Sequence, residues 1–295
     1  MARVPSIIVH GGAGADPKDG PHELRDGVRA AVEVGWRILS DGGRALDAVE
    51  AAVRSLEDHP RFNAGRGSVL TSAGTVEMDA SIMDGDRLDC GAVGAITRVP
   101  NPISVARRVL DDGRHVLLVS DGAEAFARAA GFVECAVEDL ITERQRRRWD
   151  AGRPLAVDAE ARGTVGAVAV DRHGTAAAAT STGGTWGKRP GRVGDSALIG
   201  CGTYADSTLG AVSCTGDGEA IVRAVLARRT LEFLKDAGDP EYAAHVAVDL
   251  LVDEGRGAGG LIVVDWRGRT AWAHSTPFMP VGWMNPSCSA PQIPF

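Results

Sequence analysis

The order in which apolar periodicity changes along this chain is what most limits its fold. Ser6–His10 reads as a short buried strand running into Gly11-Gly12-Ala13-Gly14, a loop that needs flexible backbone. Leu24, Val28, Val32, Trp36 and Leu39 then recur at helical spacing until Gly42-Gly43 stops the helix. A second helix carries Ala45, Val49, Val53 and Leu56 along one face. From Thr75 to Val99 the pattern is strand-like and broken at Asp84-Gly85-Asp86; Ile103–Leu110 returns to helix and His115–Ser120 to strand. The stretch 136–162 is polar, helical at first, and its part Trp149–Arg162 is expected to be a flexible linker. Strands at 164–170 and 175–180 follow, then a loop-rich stretch to Asp206 and a strand around Leu209–Cys214. Helices over Gly218–Lys235 and Pro240–Asp253 and closing strands Leu261–Trp266 and Thr270–Ser275 complete the order; the proline-containing tail Thr276–Phe295 is expected to be irregular. Each half thus pairs strand blocks with two one-faced helices. Helices on both outer faces of packed sheets give an α/β fold, a four-layer αββα sandwich in a single domain.

Composition agrees. Aromatic residues make up only 5% while Gly numbers 38, which suits closely packed layers joined by tight turns. The net charge of -7 argues against nucleic acid, and the one basic run, Arg144-Gln145-Arg146-Arg147-Arg148, lies among Glu138, Asp139, Glu143 and Asp150 as a solvated helix face. Cys90, Cys135, Cys201, Cys214 and Cys288 are odd in number and scattered, which fits a reducing compartment rather than a disulfide framework or a zinc ribbon. With no signal-type run and no apolar segment of spanning length, the expectation is a cytoplasmic protein without a membrane partner.

Chemistry concentrates in three places. Gly163-Thr164-Val165-Gly166-Ala167-Val168 puts a threonine directly before an apolar strand. Thr180-Ser181-Thr182-Gly183-Gly184 and Gly191-Arg192-Val193-Gly194-Asp195-Ser196 add hydroxyls, an arginine and a carboxylate on glycine-rich loops. Were the bond before Thr164 cut, one residue would carry both a nucleophilic hydroxyl and an α-amine to act as its base. Taken singly, each group has a plainer reading: Thr164 a β-branched strand residue, Thr182 and Asn63 turn residues, Arg192 and Asp195 a surface ion pair.

Together with His10–Gly14, Phe62-Asn63-Ala64-Gly65, Met78–Gly85, Tyr204-Ala205-Asp206 and Thr215-Gly216-Asp217-Gly218-Glu219, these segments resemble the plant-type L-asparaginase/isoaspartyl (β-aspartyl) peptidase family of N-terminal-nucleophile hydrolases. The match covers nearly the whole chain in order. It implies an αββα sandwich that cleaves its own Gly163–Thr164 bond, giving an α subunit of residues 1–163 and a β subunit of 164–295, assembled as a homodimer of αβ pairs. It implies a self-processing threonine amidohydrolase that releases L-aspartate from L-asparagine or β-aspartyl dipeptides.

The resemblance also assigns roles. Thr164 is the nucleophile, Thr182 hydrogen-bonds and tunes it, Asn63 lies near it, and Thr215 with Gly216 forms the oxyanion site. Arg192 takes the substrate's α-carboxylate and Asp195 its α-ammonium, while Gly216 and Gly218 let the backbone approach the ligand. Leu56, Glu57, His59, Phe62, Ala64 and Arg66 correspond to a loop whose main-chain carbonyls hold a structural sodium ion; no cofactor is implied for catalysis. Trp186, Ala197, Cys201 and Cys214 depart from the family pattern and bear on substrate preference.

Other readings carry less. Gly183–Lys188 is one residue short of a phosphate loop, G-x-S-x-G and H-E-x-x-H are absent, the histidines lack ligand spacing, and His10 reads as strand-end packing. Glycosylasparaginases of the same superfamily more often read Thr-Asn-Gly where this chain has Thr182-Gly183-Gly184. A threonine endopeptidase would clash with a site that demands free α-groups. A non-catalytic amino-acid-binding relative would have no reason to keep three hydroxyls.

Overall fold

The computed structural model describes residues 3–14, 20–152 and 163–295. Its strands are β1 (Ser6–His10), β2 (Met78–Asp84), β3 (Asp89–Ile96), β4 (Leu117–Val119), β5 (Val165–Val170), β6 (Ala176–Thr182), β7 (Thr203–Asp206), β8 (Gly210–Gly216), β9 (Gly259–Asp265), β10 (Thr270–His274) and β11 (Val281–Met284). Its helices are α1 (Pro21–Ser40), α2 (Ala45–Asp58), α3 (Pro102–Asp112), α4 (Ser120–Ala129), α5 (Val137–Leu140), α6 (Glu143–Asp150), α7 (Gly218–Ala224), α8 (Leu226–Ala237) and α9 (Pro240–Asp253). The strands form a seven-stranded sheet of order β11-β1-β5-β6-β2-β3-β4 and a four-stranded sheet of order β10-β9-β8-β7.

Three apolar layers cement the expected αββα sandwich. Val28, Val32, Leu46, Val49, Val53 and Leu56 of α1 and α2 pack with Ile7, Val9, Val165 and Ala167 on the outer face of the large sheet. Ile8, Val168, Val170 and Ala178 meet Ala211, Ile262 and Val264 between the sheets, and Val212, Leu261 and Val263 pack against Leu231, Ala247 and Leu251 beyond the small one. Strands β5 and β6 sit at the centre of the large sheet, buried on both faces, and their apolar residues alternate between the first and second layers.

A polar seam crosses the middle layer. His10 Nε2 lies 2.9 Å from Ser213 Oγ, which lies 2.8 Å from Thr180 Oγ1; Thr203 Oγ1 is 2.6 Å from Thr180 and 2.8 Å from Ser81. Burial pushes the His10 imidazole down to about 3, so it stays neutral and serves as a hydrogen-bonding strut. That is a packing role, as expected for His10.

The structure corrects several boundaries. The tail contains β11, which pairs antiparallel with β1 from Ile7↔Met284 to His10↔Val281 and closes one edge of the large sheet. The helix expected over Gly218–Lys235 is two helices, broken at Val225 (φ 50°). The strand expected at His115–Ser120 is only β4, because Ser120 already opens α4. Within the loop-rich stretch, Thr203–Asp206 forms β7. Trp149 belongs to α6 rather than to a linker, and its ring meets Trp186 at 6.0 Å between centroids; residues 153–162 of the expected linker lie outside the described residues.

Candidate functional site

The central strands deliver the hydroxyls. Thr164 immediately precedes β5, Thr182 ends β6, and the two strands pair antiparallel with Val165 opposite Ser181. Thr164 Oγ1 donates to Thr182 Oγ1 at 3.2 Å. The Thr182 hydroxyl in turn donates to the Gly163 carbonyl at 3.0 Å and accepts from Gly184 N–H at 2.9 Å. Asn63 Nδ2 donates to the same Gly163 carbonyl at 2.7 Å and to the Gly184 carbonyl at 2.7 Å. Its Oδ1 accepts from Val69 N–H, and its own carbonyl from Gly183 N–H, so the amide orientation is fixed on all sides. The carbonyl of the Gly163–Thr164 bond is thus gripped by two donors while the adjacent hydroxyl has an acceptor for its proton. That arrangement polarises the carbonyl and holds the Thr164 hydroxyl beside it.

Gly12 backs this junction with φ 106°; a Cβ there would come within 2.8 Å of Gly163 Cα and 2.9 Å of Thr164 N. From sequence Gly11–Gly14 is a loop of flexible backbone within a segment that carries the family resemblance. The close approach of Gly12 is a requirement that its loop composition alone did not reveal.

One pocket is lined by Gly163, Thr164, Thr182, Gly184, Thr185, Arg192, Asp195, Gly216 and Gly218. Every expected substrate-reading residue therefore reaches the pocket that holds Thr164. Thr215 is fully buried behind it, its Oγ1 accepting from Ala13 N–H at 3.0 Å, which leaves the hydroxyl proton free to be donated. Gly218 lies against the charges: a Cβ there would come within 2.7 Å of Arg192 Nη2 and 2.8 Å of Asp195 Oδ1.

Arg192 and Asp195 are not ion-paired with each other in the way the sequence suggested. Arg192 Nε and Nη2 donate side-on to Glu219 Oε1 and Oε2, each at 2.9 Å, which leaves the Nη1 end of the fork facing elsewhere. Glu219 belonged to the Thr215–Glu219 segment but had no role assigned, and a carboxylate at the first turn after that glycine pair is the signal that could have found it. The Arg192 hydrogen bonds hold the Glu219 carboxyl below its usual range. Asp195 is fully buried, and burial pushes its carboxyl up to about 7, against the pull of the nearby Arg192 charge; its Oδ2 has no hydrogen-bond partner among the described residues. It is an acceptor waiting for a donor. Asp79, also missed, supports this loop by accepting from Gly194 N–H at 2.9 Å and Ala95 N–H at 2.8 Å.

Of the segment Leu56–Arg66, expected as a loop, Leu56 and Glu57 lie in the last turn of α2, and the loop that presents Asn63 begins at His59. The Glu57 carbonyl accepts from Arg66 N–H at 2.8 Å, the Leu56 carbonyl from His59 N–H and the His59 carbonyl from Phe62 N–H. Trp186, set apart by the sequence, faces Trp149, and its neighbour Thr185 lines the pocket instead. Among the described residues there is no cluster of His, Cys, Asp or Glu able to hold a metal, and no helix is long and apolar enough to cross a membrane.

Comparison with known proteins agrees with this site. A family model described as asparaginase matches residues 3–290. An isoaspartyl peptidase/L-asparaginase from Xenopus laevis is 49% identical over 269 residues, covering 90% of this chain and 87% of that protein. One from Danio rerio is 45% identical over 285 residues, covering 95% and 91%. A plant-type L-asparaginase from Pyrococcus abyssi is 44% identical over 306 residues, covering 97% and 98%. Identity at this level over nearly the full length of each, on an αββα sandwich with the threonine junction at its centre, shows that the chain belongs to the asparaginase family.

Proposed function

We propose that this chain is a self-processing threonine hydrolase that releases L-aspartate from L-asparagine and from β-aspartyl dipeptides. The observation that carries the reading is the Gly163 carbonyl held by Asn63 and Thr182 beside the Thr164 hydroxyl, in the pocket that also contains Arg192 and Asp195. In maturation Thr164 Oγ attacks the Gly163 carbonyl carbon as its proton passes to Thr182, whose own hydroxyl proton goes to the Gly163 carbonyl oxygen it already bonds. The C–N bond breaks, the nitrogen takes a proton, and the resulting ester is hydrolysed by water. The products are a Gly163 carboxylate, closing an α subunit of 1–163, and a β subunit of 164–295 with a free Thr164 amine. We assign the working particle as a homodimer of these αβ pairs. We assign it to the cytoplasm, where its five free cysteines would stay reduced.

In turnover the Thr164 amine takes the hydroxyl proton and Oγ attacks the side-chain amide carbon of the substrate. The oxyanion lies toward the Thr215 hydroxyl and Gly216 N–H. Ammonia, or the amine of a dipeptide, leaves with the proton, and water frees aspartate from the β-aspartyl ester. Arg192 offers its remaining N–H groups to the α-carboxylate, and Asp195 accepts from the α-ammonium. Because both α-groups are held, the bond cut must be on the side chain.

No catalytic metal enters this scheme. The Leu56–Arg66 carbonyls keep lone pairs for a cation, since each accepts at most one of the loop hydrogen bonds described. Leu56, Glu57, His59, Phe62, Ala64 and Arg66 would hold sodium there, stiffening the loop that carries Asn63. A glycosylasparaginase reading is disfavoured at Gly183, whose missing Cβ lies within 2.6 Å of Ser68 Cβ and against Asn63 Oδ1, so the asparagine typical of that branch would displace both.

Intact mass under denaturing conditions and aspartate release from both substrates test the proposal. Two fragments, one beginning at Thr164, with aspartate released from either substrate are expected. A single chain that binds asparagine without hydrolysing it would refute it.

The charge states also fix a pH dependence. Asp195 accepts an ammonium only when ionised, and in the free site its carboxyl sits at about 7. The Thr164 amine, with an ordinary value near ~8, acts as a base only when neutral. Capture therefore weakens as pH falls through the Asp195 value, and attack slows as it falls through that of the amine. A bound ammonium keeps Asp195 ionised, so acidification should lower kcat/KM through two ionisations, approaching about 100-fold per pH unit, and kcat through one, about tenfold. Profiles of equal slope would remove Asp195 from ammonium recognition.

A further inference from the structure

We infer that the Glu57 side chain is a positioning residue for self-cleavage, anchoring the end of β6 that carries one of the two donors gripping the Gly163 carbonyl; the inference rests on the maturation proposed above. One donor, Asn63, sits on the loop after α2; the other, Thr182, sits at the end of β6. These elements are far apart in sequence; their chains meet where Gly183 N–H donates to the Asn63 carbonyl at 2.9 Å, but that contact lies beyond Thr182 and leaves the end of β6 itself to be placed. Glu57 touches both. It is fully buried in the last turn of α2, and its Oε1 accepts from Ser181 Oγ at 2.6 Å, one residue before Thr182. The same Oε1 accepts from Ile103 N–H at 3.0 Å, so the start of α3 is tied to the same point. Its main-chain carbonyl accepts from Arg66 N–H at 2.8 Å, closing the loop around Asn63.

Ser181 itself lies opposite Val165, the residue after Thr164, and opposite Ala80 of β2. A carboxyl oxygen anchored from α2 therefore sets how far the end of β6 advances toward the cleavage junction. A buried glutamate with only this work is otherwise hard to account for: Oε2 has no hydrogen-bond partner among the described residues, and an aliphatic side chain would fill the volume at no desolvation cost. Replacing Oε2 by an amide nitrogen keeps both Oε1 bonds, whereas removing Oε1 releases both Ser181 and Ile103.

The test is the first-order rate of Gly163–Thr164 cleavage, followed by intact mass in the full-length chain, with Tm measured alongside. Glu57→Leu should cleave about 10- to 100-fold more slowly, the scale of a small misplacement of reacting groups. Glu57→Gln, which keeps the accepting oxygen, should recover to within about threefold of the parent chain. Ser181→Ala, which cuts only the link to β6, should fall between them. Recovery by Gln at a Tm no higher than that of Leu separates positioning from bulk stability. A folded Glu57→Leu cleaving at the parent rate, or Glu57→Gln no faster than Leu, would overturn the role of Glu57. Should Glu57→Leu fail to fold, Ser181→Ala at the parent rate would overturn it equally. A parent chain that never cleaves refutes the maturation reading itself, and this inference with it.

Discussion

Thr164→Ala should leave the chain in one piece and reduce amidase activity by about 10⁴-fold or more, the range seen when a covalent nucleophile is deleted. In the proposed mechanism two steps depend on the same oxygen. Before cleavage, Thr164 Oγ1 is the hydroxyl adjacent to the gripped Gly163 carbonyl, and its proton already points at Thr182. After cleavage it becomes the attacking group and its own residue supplies the base. Alanine removes the oxygen and, because cleavage never occurs, the free amine as well. The substitution removes little from the core, since the residue lies at the start of β5 beside a pocket, so the variant should keep its fold and near-parent Tm. Thr164→Ser is the control: it keeps the oxygen but loses the methyl that restrains χ1, so it should cleave and turn over, only more slowly. Fragments beginning at residue 164 in the alanine variant, or aspartate released by it, would remove Thr164 from the mechanism.

Much of the fold was legible because the decisive patterns are local. The stripe through Val28, Val32 and Leu39 gives α1, and all-apolar runs give β5 and β9 as strands buried on both faces. Where the reading slipped, a distant partner decides. β11 lies in a tail with Pro280 and Pro286 on either side and is a strand because β1 offers an open edge to it. The break at Val225 has no glycine or proline to announce it. It exists because Ala227 and Arg228, at the start of α8, donate their N–H groups to the carbonyls of Cys201 and Gly200 instead of continuing α7. Trp149 was read as linker from the Gly and Pro that follow, yet Trp186 gives it a surface on which to end α6.

The candidate site shows the same division. Residue types on conspicuous glycine-rich motifs were readable, and the structure brings Thr164, Thr182, Arg192, Asp195, Gly216 and Gly218 to one pocket. The connections among them were not. A sequence lists an arginine and an aspartate three positions apart and suggests a pair; only the fold shows that α7 brings Glu219 to the side-on edge of Arg192 and leaves Asp195 Oδ2 open. Glu57 is a sharper case. On the α2 stripe it looks like an ordinary acidic residue near a helix end, and its burial follows from the meeting of α2, α3 and β6, which no local signal encodes.

The separation of two oxygen-binding arrangements gives the second large effect. Asn63→Ala should slow self-cleavage by about 10²- to 10³-fold, because it deletes one of two donors from the carbonyl that becomes the tetrahedral oxyanion in that step. Thr215→Val should instead lower kcat for asparagine by about 10²- to 10³-fold, since the proposed turnover assigns its hydroxyl to the substrate oxyanion. Thr215 makes no hydrogen bond to Gly163; its oxygen is engaged by Ala13 N–H. Asn63 has its amide committed to the Gly163 and Gly184 carbonyls, and the first of these leaves the nucleophile when the chain is cut. The ratio of maturation loss to turnover loss should therefore invert between the two variants. Each substitution also carries a structural cost, because Val69 N–H and Ala13 N–H respectively lose their acceptors, on the order of 1–3 kcal/mol apiece. That cost is shared by both variants and cannot invert a ratio. Time-resolved intact mass gives the first rate, and aspartate release from the fully cleaved fraction gives the second. If both variants slow both steps in the same proportion, a single set of donors serves the two reactions and the division between the Asn63–Thr182 grip and the Thr215–Gly216 site fails.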